Sequence, residues 1–446
     1  MKKNIYESKS VHTLIFTFSL PTIFSLIVEI MTSVVDTVFS GHLGVDSVNA
    51  LTTMGLISPV LSIYTAFQAL YAVSTSVLVA RHLNNRTIRD SYLTTGILFT
   101  FLVSVTVSIL SFISMDPVLH LLGAKNDVFL FAKNYLKIQL VSNVFSAMGY
   151  TLTSCIRAFG YPKIEMIFTT LSIAINIVGN AVFSFGFHMG FTGLALGTFI
   201  SEIFCMLLSA IWMAKKKLLP IFHELHHMKL LSKALELFCL GFAQTIIQVL
   251  AGCTGFFVNN SLMLYATVNH VAIWNIVQKI YTLLLMPVVG ITQGVQTIIA
   301  YYNGHHQSVK KRKTIRFTIF YTVLYGFVAA SFIFILGDEM LNIFGTSGTI
   351  LSGSTAVLKI IFLTFPIVGI FYTILTLLEV TGHEIKAVVL TLIRQVFLML
   401  PLVYLLPNLF PKLHYAVFWA IPASDLLVLM IAVFMKSKNS FACEQL

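Results

Sequence analysis

About twelve apolar stretches, each long enough to cross a lipid bilayer, make up most of this chain. A spanning helix needs roughly 20 mainly apolar residues, because backbone groups in hydrocarbon find no water and must bond within their own segment. The cores lie near 13–35, 50–78, 92–114, 130–155, 164–187, 191–213, 237–258, 268–300, 316–336, 355–380, 386–406 and 414–435. Polar or helix-breaking residues separate them, among them His42-Leu43-Gly44, Gly160-Tyr161-Pro162, Gly186 to Gly190, Gly345 to Gly353 and Gly382 to Lys386. Only 10% of the 446 residues are charged and mean hydropathy is +0.90. Soluble chains carry about 25% charged residues. A soluble globule, a disordered tail, a secreted disulfide scaffold and a nucleic-acid binder are all excluded, leaving an all-α, polytopic membrane protein.

The net charge of +11 reads as membrane orientation. One alternating set of loops carries Lys2, Lys3 and Lys9, then Arg81, Arg86 and Arg89, then Arg157 and Lys163, and later Lys215 to Lys217, Lys310 to Arg316, Lys436 and Lys438. The opposite set holds little beyond Lys125 and Lys412, and includes Asp127, Asp338 and Glu339. The positive-inside rule therefore puts both termini in the cytoplasm. Met1 to His12 lacks the order of a cleavable signal, so the first apolar run is expected to remain as an anchor. Five scattered cysteines without ligand spacing support neither a disulfide framework nor a zinc site.

The longest polar connection, Lys215 to Glu236, divides the chain at its middle. It predicts an N-terminal six-helix lobe over 1–214, a cytoplasmic linker over 215–236 and a C-terminal six-helix lobe over 237–446. Sliding the sequence along itself by half its own length lays Val45-Asp46-Ser47-Val48 over Val268-Asn269-His270-Val271 and Ser201-Glu202 over Ser424-Asp425. A shift shorter by a single position lays Gly160 over Gly382. An even number of helices gives both halves one orientation, related by a pseudo-two-fold along the membrane normal, as in transporters.

A carboxylate at the bilayer centre costs about 2.5–3.5 kcal/mol on insertion scales, so each one asks for a reason. Asp36 sits in the first span, and Glu29, seven residues earlier, shares its face. A headgroup-level position at the helix end is the alternative for Asp36, because Gly41-His42 follows. In the fifth span Asn176 and Asn180 are four apart; in the sixth Thr198 and Glu202 repeat that spacing. Such oxygens beside an acid hold a hard cation or stabilise the ionised carboxylate, and the same groups also serve as interhelical glue. The second half offers amides instead. Asp36 maps onto Asn259, the seventh span carries Gln244 and Gln248, and the eighth carries Asn275, Gln278, Gln293 and Gln296 in a helix expected to be interrupted at Pro287 and Gly290. Gln248, Asn259, Gln278 and Gln293 are candidates for a substrate cavity. Glu379, Arg394 and Asp425 read as structural or near-interface ion pairs. The 38 Phe, 16 Tyr and 16 Met are mostly lipid-facing or packing groups, and they also suit walls for flat lipophilic cations. His223-Glu224-Leu225-His226-His227 lacks metal-site spacing, and no nucleotide-binding motif occurs in a suitable context.

Val35-Asp36-Thr37-Val38-Phe39-Ser40-Gly41-His42-Leu43-Gly44 resembles the end of the first helix in the multidrug and toxic compound extrusion (MATE) family. Arg157-Ala158-Phe159-Gly160-Tyr161-Pro162-Lys163, Asn176, Phe183-Ser184-Phe185-Gly186, and Met286-Pro287 with Gly290, Gln293-Gly294 and Gln296 are similar to later family patterns. The resemblance runs from Ser8 to Lys436, and the bacterial DinF-like branch (DNA-damage-inducible F) looks closest. It implies a V-shaped pair of six-helix lobes exporting organic cations in exchange for H+ or Na+. The implied coupling site maps onto Asp36, Asn176, Asn180 and Thr198, with Glu29 and Glu202 in support. Two departures stand out: Asn180-Ala181 replaces the Asp-Pro of many relatives, and Gln248 stands where some carry an acid.

The reading is a cation-coupled secondary antiporter of lipophilic, mostly cationic drugs in the bacterial inner membrane. It is expected to be monomeric, to bind lipids but no nucleic acid, and to use no cofactor, no catalytic residue and no metal beyond a transported Na+ at Asp36. A flippase for a lipid-linked saccharide is the rival within transport. It would need a cationic cavity for pyrophosphate, for which Lys133, Lys137, Lys279 and Arg394 are the candidates within spans. An integral membrane enzyme would need clustered catalytic groups, which the sequence lacks.

Overall fold

The computed structural model describes residues 5–43, 46–219, 230–265, 268–343, 348–410 and 415–437. They form α1 (Ile5–Ser8), α2 (Val11–Gly41), α3 (Ser47–Arg81), α4 (Arg86–Ile113), α5 (Met115–Leu121), α6 (Asn126–Ala158), α7 (Pro162–Ala181) and α8 (Gly190–Lys215). The second half forms α9 (Leu230–Tyr265), α10 (Val268–Gly304), α11 (Ser308–Ile343), α12 (Gly348–Phe362), α13 (Phe365–Val380), α14 (Glu384–Leu392), α15 (Leu400–Leu409) and α16 (Ala420–Ser437). Among the described residues, each apolar core predicted from sequence falls mainly on helix. By length and hydropathy alone, eight helices among the described residues can cross a membrane, or nine if the bent pair α12–α13 is one span.

Three local expectations are corrected. The core at 355–380 is not one rod: it breaks at Leu363-Thr364 with a 48° bend, where Pro366 in the first turn of α13 has no N–H to continue α12. The eighth span is not interrupted at Pro287 and Gly290, because α10 runs through both. The breaker expected over Gly345 to Gly353 is shorter, since α12 starts at Gly348.

Two π-helical segments went unpredicted. Val182–Gly186 extends α7, and Ile393–Met399 joins α14 to α15. The polar connection is also shorter than expected, because α8 ends at Lys215 and α9 begins at Leu230. The His223 to His227 run lies outside the described residues.

Packing divides the chain into two compact units. One comprises 1–8 and 20–245, the other 9–19 and 246–446, so their limits fall within α2 and α9 rather than at 214 and 237. Outward faces are apolar, as hydrocarbon requires: Leu110, Phe112 and Ile113 on α4 and Phe327, Val328 and Ile335 on α11 are all exposed. The interior of the first unit is unusually rich in small hydroxyl residues. Ser74, Thr75 and Ser76 on α3 are fully buried, and Ser74 Oγ returns its hydrogen to the Leu70 carbonyl (2.8 Å), which satisfies it within its own helix.

The internal repeat is visible in backbone detail. α6 ends with Gly160 at φ +92°, and Tyr161 N–H reaches back to the Ile156 carbonyl (3.1 Å). α13 ends with Gly382 at φ +85°, and His383 N–H reaches the Leu378 carbonyl (2.9 Å). The two caps are the same left-handed closure, at matching places in the two halves. His82 and His305 are a second matching pair: their backbone N–H groups close onto the carbonyls of Leu78 (3.1 Å) and Tyr301 (3.1 Å).

Gly160 is doubly required. Its conformation disfavours a side chain, and a Cβ there would sit 2.6 Å from Ile5 Cγ2 of the α1 segment packed on the turn. Gly160→Ala is expected to cost about 1–2 kcal/mol, the left-handed penalty alone. It should lower the thermal unfolding midpoint in detergent, whereas Gly55→Ala, in open space on α3, should not.

Candidate functional site

Asp36 lies inside α2, five residues before the helix ends, and its side chain is half-buried. The carboxylate Oδ1 accepts a 2.5 Å hydrogen bond from Asn180 Nδ2. The same amide nitrogen lies 3.3 Å from Asn176 Oδ1, and Asn176 Nδ2 donates to Thr198 Oγ1 at 3.0 Å. Thr198 passes its own hydrogen to the Leu194 carbonyl. Asp36, Asn180, Asn176 and Thr198 therefore form one hydrogen-bonded chain across α2, α7 and α8, all within the first unit. These are the four residues singled out from sequence.

Asn176 and Asn180 are buried, at 2% and 0% exposure, so their amides are held without competition from solvent. Among the described residues no basic side chain pairs with Asp36. Its charge is countered by amide dipoles, with buried Tyr135 close enough to feel it. Amide donors aimed at a carboxylate stabilise its ionised form. Asn180 Oδ1 is buried and has no hydrogen-bond partner, so the cluster keeps an acceptor in reserve.

Glycines set this geometry. A Cβ on Gly193 would lie 2.6 Å from Ser184 N, and one on Gly179 3.0 Å from Gly197 Cα. α7 and α8 thus cross backbone against backbone, as small residues four apart permit in membranes. A Cβ on Gly197 would meet Asn180 at Oδ1 (2.2 Å) and at the main-chain N (2.7 Å). Just beyond Asn180 the chain enters the π-helical segment at Val182.

The supporting acids lie lower on the same helices. Glu202 is half-buried and bonded to Ser146; Glu29 is exposed on α2, within electrostatic reach of Glu202. The tentative cavity residues are less informative. Gln278 and Gln293 are half-buried on α10, while the side chains of Gln244, Gln248, Asn259 and Asn275 lie outside the described ones. Gln296 is buried and donates to Glu379 at 3.4 Å.

In the second unit, Arg394 Nε bonds Asp425 Oδ1 at 2.7 Å, Thr364 Oγ1 supplies Asp425 Oδ2 at 3.1 Å, and the guanidinium lies 4.7 Å from the centre of the Phe371 ring. This is the structural ion pair expected there. Sequence reasoning missed one polar chain: Gln68 Nε2 to Asn143 Oδ1 (3.0 Å), then Asn143 Nδ2 to Ser108 Oγ (3.2 Å), beside a small recess lined by Phe67, Tyr71 and Thr100. Its signal was the same as for the fifth span, amides within apolar runs.

A family model described as MatE matches residues 21–182 and again 244–405. The chain belongs to the MatE family. The two matches are offset by half the chain, the displacement at which the sequence aligns with itself. Proteins named "Multidrug export protein MepA" are similar over nearly full length. The one from Staphylococcus haemolyticus is 24% identical over 432 residues, covering 96% of this chain and 94% of the relative. That of Staphylococcus aureus is 24% identical, covering 91% and 89%.

Among solved structures, an outward-facing multidrug resistance MATE transporter superposes with a TM-score of 0.90 at 18% identity, covering 100% and 99% of the two chains. A transporter of the wider MOP superfamily from Pyrococcus furiosus, described as having a binding pocket of reverse polarity, gives 0.89 at 18%, covering 99% and 98%. At that identity these likenesses establish the MATE fold alone; the family match and the multidrug-export relatives make the chain a multi-pass membrane transporter and not an enzyme.

Gly197→Ala is expected to unseat Asn180 from Asp36, because the added carbon meets main chain as well as side chain. Overpacking of this kind costs about 1–3 kcal/mol. The variant should lose stability and ion-driven transport together, read as the unfolding midpoint and as efflux per folded transporter. Wild-type transport in Gly197→Ala would refute the positioning role.

Proposed function

We propose that this protein exports small lipophilic cations by alternating access in exchange for an inward-moving H+ or Na+, with Asp36 as the coupling group. The observation that carries the reading is the Asp36 carboxylate held at 2.5 Å by Asn180 with no basic partner among the described residues. Such a group has a use for a cation. In the ionised state it is stabilised by the amide; when an external ion neutralises it, the reason for that hydrogen bond disappears and the cluster repacks. A proton fits the donors better than Na+, since an amide N–H occupies the approach to Oδ1 that a metal ion would need.

Cationic substrates suit the electrostatics. Of the four basic candidates within spans, Lys133 bonds Asp116 at 2.7 Å and Arg394 bonds Asp425 at 2.7 Å, while Lys137 and Lys279 are exposed. The names of the staphylococcal relatives support multidrug export. The basic loops support cytoplasmic termini in a bacterial inner membrane. We take the monomer to be the working unit and no cofactor to be needed.

Purified transporter in liposomes, loaded with a fluorescent lipophilic cation and given pH and Na+ gradients separately, tests the reading. Asp36→Asn is expected to remain folded yet lose gradient-driven transport by at least about a hundredfold, the scale of a removed acid–base group. Equal gradient-driven rates in wild type and Asp36→Asn would sink the coupling role.

A further inference from the structure

The four-residue cluster is the upper end of a longer polar seam. On α7, polar residues recur at Asn180, Asn176, Ser172, Thr169 and Glu165, spacings of four, four, three and four that keep them on one face. α8 contributes Thr198 and Glu202 at the same interval, and α2 contributes Asp36, Glu29 and Ser25. At 1.5 Å of rise per residue the α7 stripe extends roughly 22 Å, most of a hydrocarbon core of about 30 Å.

Cross-helix hydrogen bonds recur along this seam, entirely within the first unit. Ser172 Oγ donates to the Ser201 carbonyl at 2.8 Å, beside Glu202 with its Ser146 partner. Ser25 Oγ and Thr169 Oγ1 lie 3.1 Å apart, and Thr169 also reaches the Glu165 carbonyl at 3.1 Å. At the foot, Arg157 Nη1 meets Glu165 Oε1 at 3.0 Å, both residues being buried at 4% and 5% exposure. Half-buried Tyr150 stands within electrostatic reach of Arg157, Glu29 and Glu165, and Cys205 of Glu202 and Glu165.

The foot is not saturated. Glu165 Oε2, Arg157 Nε and Ser154 Oγ, one turn before Arg157 on α6, are buried and have no hydrogen-bond partner. A purely structural ion pair in this setting would be expected to satisfy those atoms, since each unmade bond costs about 1–3 kcal/mol. Unused donors and acceptors on a carboxylate, a guanidinium and a hydroxyl are what a mobile proton and its water need.

We propose that Glu202 and Glu165 are the cytoplasmic release route for the proton taken up at Asp36, with Glu29 beside the path and Arg157 positioning Glu165. This rests on the coupling role given to Asp36. The Asp36 carboxyl gives up its proton, the Glu202 carboxylate accepts it, Glu165 receives it in turn and yields it to water at the basic end of α6 and α7. Each carboxylate finishes as it began, so the net change is one proton moved. A hard cation cannot use such a seam, because it needs several oxygens converging at every stop; the route therefore selects H+ as the coupling ion.

The test measures pH-gradient-driven cation efflux in liposomes for Glu202→Gln and Glu165→Gln, with dye affinity by fluorescence polarisation. Because Glu165→Gln leaves Arg157 without its charge partner, the neutral double variant Arg157→Gln/Glu165→Gln is made as well. Transport is expected to fall about tenfold or more, the low end of a lost proton-transfer group, with a flattened pH profile, while the dye Kd changes less than about twofold. Glu202→Asp should restore part of the rate.

Wild-type rates and pH profiles in Glu202→Gln and in the double variant, with Asp36→Asn inactive, would overturn the route and leave the coupling role standing. Wild-type transport by Asp36→Asn would overturn both. Loss of dye binding in step with loss of transport would assign Glu202 and Glu165 a structural role and likewise overturn the route.

Discussion

An ionised carboxylate in hydrocarbon has to be answered by something fixed, and here the answer is a single amide. The Asp36–Asn180 hydrogen bond governs the arrangement around it. Asn180 is held at the right height only because α7 and α8 approach through Gly179, Gly193 and Gly197. Asn176 and Thr198 extend the bond into a chain that crosses three helices. A lysine in place of the amide would have given a stronger but permanent partner. An amide leaves the acid stabilised yet open to neutralisation, the property an exchanger requires.

The two halves show how a duplicated scaffold diverges in charge without changing shape. The caps at Gly160 and Gly382 are matching turns, yet the residue three positions before each is Arg157 in one half and Glu379 in the other. Ser201-Glu202 aligns with Ser424-Asp425, but only Asp425 is locked by an arginine. A paired carboxylate with Thr364 on its second oxygen has little capacity left for a transported ion. The first half retains an acid free of such a lock.

Much of this was legible in the sequence because the membrane leaves few options. Apolar length located the long helices, and the half-length repeat was visible in short matches before the turn geometry and the family match reproduced it. Asp36, Asn176, Asn180 and Thr198 stood out because polar atoms in apolar runs are conspicuous and helical spacing fixes their face. The bend at Leu363-Thr364 was missed because Thr364 and Pro366 sit within an apolar run and hydropathy carries no directional information. The continuity of α10 through Pro287 was missed for the opposite reason: in a packed bundle the lost hydrogen bond is tolerated, so a breaker need not break. Arg157 was read as a loop charge and Glu165 was not singled out, since burial of a helix end depends on neighbours that sequence does not name.

The π-helical segment at Val182–Gly186 gives α7 a residue more than regular turns would hold. Asn180 stands two residues from it, so the amide that answers Asp36 lies where the winding of the helix changes at its C-terminal end.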